Sequence, residues 1–216
     1  MADNPYKILV EEHEKILDDE KDLFNNKAGK WSDFFWNDNP IFLEIWTWMG
    51  NFFSKESSRN LDKNFVGIEL KYKRLYNSAE KAIELWTKDF VMLKTFAQNI
   101  DKIFTKDEID KTYVFFPDPW GKKDRQKKHR LFQEKFIRDL FEKTKAGWKL
   151  VFKTDHREYF DTTLALFEEI WIWKINIKSY DYENELDSFE TKEMTEFEHI
   201  FRKTKINYIE YEKPAL

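Results

Sequence analysis

The sequence predicts an α/β protein built on a mainly parallel β-sheet. Short apolar runs of three to five residues, suited to buried strands, recur along the chain. Longer segments with apolar residues three and four positions apart, which favour amphipathic helices, lie between several of them. Hydrophobic residues make up 41% of the 216 residues, enough for a sizeable core. No internal repeat or interdomain linker is visible, so we expect one domain, preceded by a short helical extension.

The predicted elements follow one another in a regular order. A charged helix is expected over residues 6–25, whose apolar positions are sparse, and residues 25–29 are expected to break it. The predicted strands are 41–45, 65–69, 90–93, 113–116, 150–152, 175–177 and 206–209, and the predicted helices are 71–85, 130–144 and 159–170. Ligands of such sheets bind at the carboxyl ends of the strands. The residues that follow positions 45, 68, 93, 116 and 154 are therefore the candidates for chemistry.

Composition excludes several classes of protein. The chain has no cysteine, which rules out disulfides and thiolate metal sites, and its four histidines show no ligand spacing. No apolar run approaches the roughly 20 residues that span a bilayer. The first five residues lack the charged and apolar regions of a signal peptide. We expect a cytoplasmic protein with no metal and no membrane partner, either a monomer or a homodimer.

The distribution of charge is more informative than the net charge of −4. Residues 122–130 carry six Lys or Arg against one Asp, whereas residues 181–198 carry eight acids against one Lys. The first 30 residues carry eight acids against five bases, which disfavours an RNA-binding arm there. A local basic stretch on an acidic protein can still neutralise phosphates.

The strongest motif is Phe115-Phe116-Pro117-Asp118-Pro119-Trp120, followed by this basic stretch. Two prolines stop the predicted strand and hold Asp118 on a rigid turn at its carboxyl end. An acid beside an aromatic ring can hydrogen-bond the edge of a base while the ring packs on its face. The alternative without a ligand is a proline-rich turn before a solvated helix. This alternative fits the basic run alone far better than it fits the whole string.

This string resembles the signature of the bacterial tRNA (guanine-N7-)-methyltransferases that act on guanosine 46. The similarity runs from about residue 30 to the C-terminus. It includes Trp31, Phe35 and Asn37-Asp38-Asn39-Pro40, then Phe65-Val66-Gly67-Ile68-Glu69, Lys153-Thr154-Asp155 and Met194-Thr195-Glu196-Phe197-Glu198. The resemblance implies a Rossmann-like S-adenosylmethionine-dependent methyltransferase fold over residues 30–216. Such a fold has a mainly parallel seven-stranded sheet with helices on both faces, and residues 1–29 form the helical extension.

The resemblance also assigns site residues. It implies that Glu44, Glu69, Phe96 and Asp118 bind S-adenosylmethionine, Glu69 through the ribose hydroxyls. Phe96 stands where the family usually has an acid, so it either stacks on adenine or is core, with Gln98 or Asn99 as polar substitutes. Asp118 is the candidate catalytic residue. The implied tRNA-binding residues are Lys122, Asp155, Thr195, Glu196, Phe197 and Glu198. Without the resemblance, Glu69 and Asp155 would each be interpreted as an ordinary acid at a strand end. The segment Thr195–Glu198 would be interpreted as a helix cap.

One departure from the family is conspicuous. Its first strand runs into a turn of the form E-I-G-x-G-x-G, and this chain reads Glu44-Ile45-Trp46-Thr47-Trp48-Met49-Gly50. Glycine is scarce, with 5 of the 216 residues against 9 tryptophans. Glycine usually makes up about 7% of a protein. Six tryptophans stand where the family, or the end of a predicted helix, usually has glycine: Trp36, Trp46, Trp48, Trp86, Trp148 and Trp171. We hypothesise that UGA codons meant as glycine were read there as tryptophan; the alternative is a decayed cofactor motif.

The sequence therefore predicts a tRNA (guanine(46)-N7)-methyltransferase. The non-enzymatic alternative is a tRNA-binding protein of the same fold with an inactive cofactor site. An NAD-dependent dehydrogenase also uses an acid after its second strand, but the Pro-Asp-Pro-Trp string and the basic run are foreign to that class.

Overall fold

A computed structural model describes residues 4–18, 27–185, 195–200 and 204–215. Within these residues the strands are β1 (Ile16–Leu17), β2 (Ile41–Ile45), β3 (Asn64–Ile68), β4 (Phe90–Leu93), β5 (Ile109–Phe115), β6 (Thr144–Thr154), β7 (Lys174–Ser179) and β8 (Asn207–Glu212). The α-helices are α1 (Pro5–Glu11), α2 (Trp31–Phe35), α3 (Asn51–Arg59), α4 (Tyr72–Glu84), α5 (Ile100–Ile103), α6 (Glu134–Lys143), α7 (Arg157–Ile170) and α8 (Glu196–Ile200). Short 3₁₀ turns lie at Ala97–Asn99, Asp124–His129 and Tyr182–Asn184.

The described strands form one sheet in the order β1-β4-β3-β2-β5-β6-β8-β7. Neighbours from β1 to β6 are parallel, and β8 alone runs antiparallel, between β6 and β7. The predicted mainly parallel sheet is confirmed, with β1 as an eighth strand beyond the seven expected. Because β2 to β6 point the same way, their carboxyl ends meet at one edge.

Two apolar clusters cover the two faces of the sheet, and the strands divide their side chains between them with the period of two expected of a pleated strand. In β2, Leu43 and Ile45 pack under α2, α5, α6 and α7, whereas Phe42 packs under α3 and α4. Burial on both faces explains why these strands read as continuous apolar runs in the sequence. The expected helices on both faces are confirmed.

The predicted continuous helix over residues 6–25 is wrong. Helix α1 ends at Glu11, and Ile16–Leu17 instead form an edge strand beside β4. The His13 ring accepts a hydrogen bond from the Lys15 backbone N–H (3.1 Å), which a continuing helix would not allow. Pairing with β4 buries Ile16, whereas a sparse amphipathic helix has little to bury. Residues 19–26 lie outside the described chain, and the boundary between residues 29 and 30 stays a prediction.

Three helices end on a tryptophan in the left-handed backbone conformation. Trp36, Trp86 and Trp171 follow α2, α4 and α7 with φ of 57°, 59° and 56°. After α4 the hydrogen bonds form a Schellman motif, in which Trp86 N–H donates to Ile83 O and Thr87 N–H to Ala82 O (2.9 Å each). Glycine is the usual residue at this position, because an L side chain there costs roughly 1–2 kcal/mol.

Candidate functional site

A cavity of about 610 Å³ opens at the carboxyl edge of the sheet. This is the edge where the sequence places the candidate residues, and the volume suits a small-molecule site. The residues that line it include Trp46, Trp48, Glu69, Arg74, Phe96, Gln98, Phe116, Asp118, Trp120, Lys128, His129, Asp155 and Phe197.

Glu69 lies directly after β3 and is only 2% exposed. Its Oε1 accepts hydrogen bonds from the backbone N–H groups of Leu70 (2.8 Å) and Lys71 (2.9 Å). These bonds fix the carboxylate at the cavity wall. Burial raises the pKa of Glu69, and the backbone hydrogen bonds together with the charge of Arg74 oppose that rise. A fixed carboxylate suits two neighbouring hydroxyl donors.

Glu44 is placed differently from the other predicted cofactor residues. It is 3% exposed in the middle of the sheet, and its Oε2 has no hydrogen-bond partner. Burial raises the pKa of Glu44 well above its ordinary value, and the charges of Glu196, Glu56 and Glu69 add to this effect. It is not a lining residue of the cavity. A buried carboxylate oxygen without a donor is costly, so this position is one that an incoming donor would stabilise.

Phe96 is 57% exposed and lines the cavity after β4. It is therefore not a core residue, and an exposed ring at a cavity wall is available for stacking. Of the two polar substitutes that the sequence suggests, Gln98 lines the cavity. Asn99 instead donates its side-chain N–H to Thr95 Oγ1 (3.1 Å).

Asp118 is exposed at the mouth of the cavity, on the turn that follows β5. Phe116 begins this turn with φ of 48°, and Pro117 behind it is buried. The Phe116 ring stacks on Phe197, with centroids 5.4 Å apart. Trp120 ends the turn and packs against the His129 ring at 5.4 Å. The predicted turn therefore presents one exposed carboxylate, flanked along the chain by two aromatic residues that also line the cavity.

Arg130 anchors this turn, a role that sequence reasoning missed by treating it as one more phosphate-binding cation. It is only 5% exposed, and its Nε donates to the Pro119 carbonyl oxygen (2.7 Å). Its Nη1 donates to Thr162 Oγ1 (2.9 Å), and its Nη2 donates to the Glu158 carboxylate. The guanidinium lowers the pKa of Glu158 to about 2, with Lys127 adding to the effect. The available signal was its position directly before the apolar pair Leu131-Phe132.

The remaining predicted tRNA contacts are only partly brought to the cavity. Asp155 follows β6 and lines it, as do Lys128 and His129 from the basic stretch. Lys122 is exposed in the same stretch but is not a lining residue. Its position suits a long substrate that extends beyond the cavity.

The segment Thr195–Glu198 forms the first turn of α8, and Phe197 is its cavity-lining residue. Thr195 Oγ1 accepts from Glu198 N–H (3.2 Å), and Glu198 Oε2 accepts from Thr195 N–H, which is a capping box. Glu198 Oε1 also accepts from Lys153 Nζ (2.9 Å), with both side chains buried. Glu196 pairs with Lys81 of α4 (3.6 Å). Met194 lies outside the described residues. This geometry makes Thr195 and Glu198 hold Phe197 at the cavity.

The comparisons with known proteins agree with this geometry. Residues 38–210 match the family model described as "Putative methyltransferase". A tRNA (guanine-N(7)-)-methyltransferase of Geobacillus sp. is 34% identical over 80% of this chain and 77% of its own length. The Bacillus subtilis protein of the same name is 34% identical over 80% of this chain and 79% of its own length. The chain belongs to the tRNA (guanine-N7)-methyltransferase family.

Another relative has a different architecture. A bifunctional glycosyltransferase/methyltransferase of Fusobacterium nucleatum is 33% identical over 96% of this chain, but the chain spans only 32% of that protein. Among solved structures, the 16S rRNA methyltransferase KamB superposes with a TM-score of 0.59, at 12% identity over 86% of this chain and 94% of that one. An antibiotic-related methyltransferase gives 0.57, at 11% identity over 87% and 94%. These structures confirm the Rossmann-like methyltransferase fold.

The cavity fits S-adenosylmethionine, the methyl donor of such enzymes, at one end and not at the other. The fixed Glu69 carboxylate suits ribose hydroxyls, and the exposed Phe96 ring suits a base. At the turn after β2, however, the Trp46 and Trp48 rings line the cavity. The Trp48 ring lies against Arg74 (3.3 Å) and Phe197 (4.9 Å). A cofactor turn needs close approach of backbone to ligand, which these rings prevent.

In the described part of the chain, no helix is long and apolar enough to cross a membrane. The same residues contain no group of three or more His, Asp or Glu side chains placed to hold a metal ion.

Proposed function

We propose that this chain transfers the methyl group of S-adenosylmethionine to N7 of guanosine 46 in tRNA. The observation that carries the proposal is the placement of Asp118, which is exposed and lines the same cavity as Phe116, Trp120 and Glu69. Family membership supports the reaction class, and the printed names of the relatives supply the tRNA guanine. The choice of position 46 is supported by the resemblance of the Phe115–Trp120 string to enzymes that act on guanosine 46.

Methylation of N7 needs no proton acceptor in the protein. N7 of guanine is an unprotonated hydrogen-bond acceptor, so it attacks an electrophilic methyl group without prior deprotonation. The protein has to align the nitrogen with the methyl group and to stabilise the positive charge that develops on the purine. Asp118 serves both needs, because its carboxylate can accept from the N1–H and amino group of the base or offset the new charge. It is not a general base in this scheme.

The surroundings of Asp118 provide the binding contacts. Phe116 and Phe197, which stack on each other, form an aromatic wall of the cavity beside the position proposed for the base. Asp155 and the segment Thr195–Glu198 position the nucleoside. Lys122 and the basic residues after it neutralise phosphates, so tRNA binding weakens as salt rises.

The decisive experiment measures transfer of labelled methyl from S-adenosylmethionine to a tRNA with guanosine 46. The control substrate carries adenosine at that position. The chain with glycine at residues 36, 46, 48, 86, 148 and 171 is assayed beside the chain as written. We expect transfer to the guanosine tRNA alone, and by the glycine-bearing chain alone; equal transfer to both tRNAs would contradict position 46. The Asp118→Asn variant should lose transfer, whereas Asp124→Asn, an exposed acid in the adjacent basic stretch, should not.

The second candidate function is a tRNA-binding protein with an inactive cofactor site. The rings of Trp46 and Trp48 in the cofactor turn favour it. Its signature is tRNA binding without transfer, and without binding of S-adenosylhomocysteine, by the glycine-bearing protein as well as by the chain as written.

A further inference from the structure

Left-handed backbone is concentrated in one residue type. Among the described residues, eight that are not glycine have positive φ, and six of these are tryptophans. The other two are Asp107 and Phe116. Tryptophan accounts for only 9 of the 216 residues, and a bulky side chain in this conformation is a genuine outlier. A conformation that glycine adopts freely is therefore occupied mainly by the bulkiest residue.

At three helix ends the tryptophan ring buries almost no surface that could offset the unfavourable backbone conformation. The side chains of Trp36, Trp86 and Trp171 are 92%, 88% and 87% exposed. The backbone hydrogen bonds that end α2, α4 and α7 use only main-chain atoms. Nothing at these positions selects an indole, whereas the backbone favours glycine.

The turn after β2, residues 46–50, shows the same pattern at the cavity itself. Residues 46, 48 and 50 have φ of 65°, 52° and 76°, and only the last is glycine. The Trp46 backbone N–H donates to Ile68 O (2.8 Å), and the Trp48 carbonyl accepts from Ser78 Oγ (3.3 Å), so the turn is held in place. A Cβ on Gly50 would lie 2.5 Å from Ser78 Cα. The backbone is that of a turn with three alternating glycines.

The other tryptophans behave differently. Trp31 is fully buried and donates its indole N–H to Ile103 O (3.1 Å), and Trp173 is 8% exposed in the same core. Trp120 has φ of 45°, but its ring packs on His129 at the cavity. Left-handed backbone therefore separates six tryptophans from the other three, and among the six Trp120 alone belongs to the Pro-Asp-Pro-Trp string that resembles the family signature.

We infer that residues 36, 46, 48, 86 and 171 are glycine in the protein as its own cells make it, encoded by UGA codons that those cells read as glycine. Tryptophan has one standard codon, UGG, and UGA differs from it only in the third base. A single reassigned codon thus explains why one residue type occupies all five positions. Trp148 stays a prediction from the sequence, because its backbone is not left-handed and its ring packs on Phe42.

The consequence for the site rests on the proposed function. Glycine at 46 and 48 removes both indoles from the cavity and frees the faces of Arg74 and Phe197 that Trp48 covers. The turn then allows the close approach of backbone to ligand that a nucleotide-like cofactor needs. The misfit at this end of the cavity disappears without any other change in the chain.

The test reads the gene and the protein separately. Sequencing the gene should show UGA at 36, 46, 48, 86 and 171, and UGG at 31, 120 and 173. Mass spectrometry of peptides from the source cells should show glycine at the five positions and tryptophan at the other three. UGG codons at 46 and 48, or tryptophan in those peptides, would overturn the inference. Neither readout depends on methyl transfer, so failure of the proposed function would leave this result standing.

A binding measurement tests the consequence for the cavity. Titration of S-adenosylhomocysteine into the chain as written and into the Trp46→Gly/Trp48→Gly variant should show binding tighter by roughly tenfold or more in the variant, because the rings must otherwise be displaced first. The matched control is Trp86→Gly, which lies at a helix end and should leave the affinity unchanged. Equal affinity of all three proteins would overturn the opening of the site.

Discussion

Replacing the three exposed helix-end tryptophans by glycine should stabilise the chain as written. The change is the triple variant Trp36→Gly/Trp86→Gly/Trp171→Gly. All three residues have left-handed backbone, and their rings are 87–92% exposed. Removing the rings therefore costs little burial, while removing each Cβ relieves an unfavourable conformation.

The expected gain can be worked out from these values. Left-handed backbone costs an L residue roughly 1–2 kcal/mol in the folded state, and glycine removes this cost. The greater conformational freedom of glycine in the unfolded chain lowers the free energy of unfolding by roughly 0.5–1 kcal/mol, which offsets part of the gain. Pairing the lower values of the two ranges, and then the upper values, gives a net gain of about 0.5–1 kcal/mol per position. The positions end three different helices, so the contributions should add to about 1.5–3 kcal/mol. For a chain of this size that corresponds to a rise in Tm of roughly 3–12 °C.

The assay is urea unfolding followed by far-UV circular dichroism, because fluorescence would change with the tryptophans themselves. The midpoint should rise with an unchanged slope. The matched control is Trp173→Gly, whose buried ring should cost about 3–5 kcal/mol when removed. A triple variant no more stable than its parent would refute the backbone argument, and so would a control that loses nothing.

Three further predictions concern the site. Arg130→Lys should lower kcat/KM roughly tenfold or more, because an ammonium cannot hold Pro119 O, Thr162 and Glu158 together; Arg157→Lys on α7, the helix that carries Thr162 and Glu158, is the control, and an unchanged kcat/KM in Arg130→Lys would contradict the anchoring role. Because the pKa of Glu44 is raised in the folded state, stability should fall as pH rises from about 4 towards that folded pKa. Glu44→Gln should then be more stable than the parent at pH 7–8, with the advantage shrinking near pH 4 in thermal unfolding, and parallel pH profiles would argue against this. Lys153→Met should destabilise by about 3–5 kcal/mol, since it leaves the buried Glu198 carboxylate without its cation; Lys153→Met/Glu198→Leu should recover part of the loss, and a purely additive double variant would rule out the coupling.

The sequence by itself determined seven strands of the sheet and the edge at which several candidate residues meet. Burial on both faces makes parallel strands read as apolar runs, so residues 41–45 and 90–93 were predicted with the bounds that the structure shows. The short helices α2, α3 and α5 were not predicted, because helices of four to nine residues carry too few apolar turns for a periodic signal. Glu69, Asp118 and Asp155 lie at the predicted strand ends and meet at the cavity.

Only the tertiary structure decided what each polar residue contacts. Arg130 lies in a basic run, but its burial against Pro119 and Glu158 depends on the packing of α7. Glu198 belongs to a motif, yet its pairing with Lys153 joins residues 45 positions apart. The strand at Ile16–Leu17 exists because β4 offers a free edge to pair with. The composition suggested misplaced tryptophans, and backbone dihedral angles, which no composition contains, separated Trp36, Trp46, Trp48, Trp86, Trp120 and Trp171 from Trp31, Trp148 and Trp173.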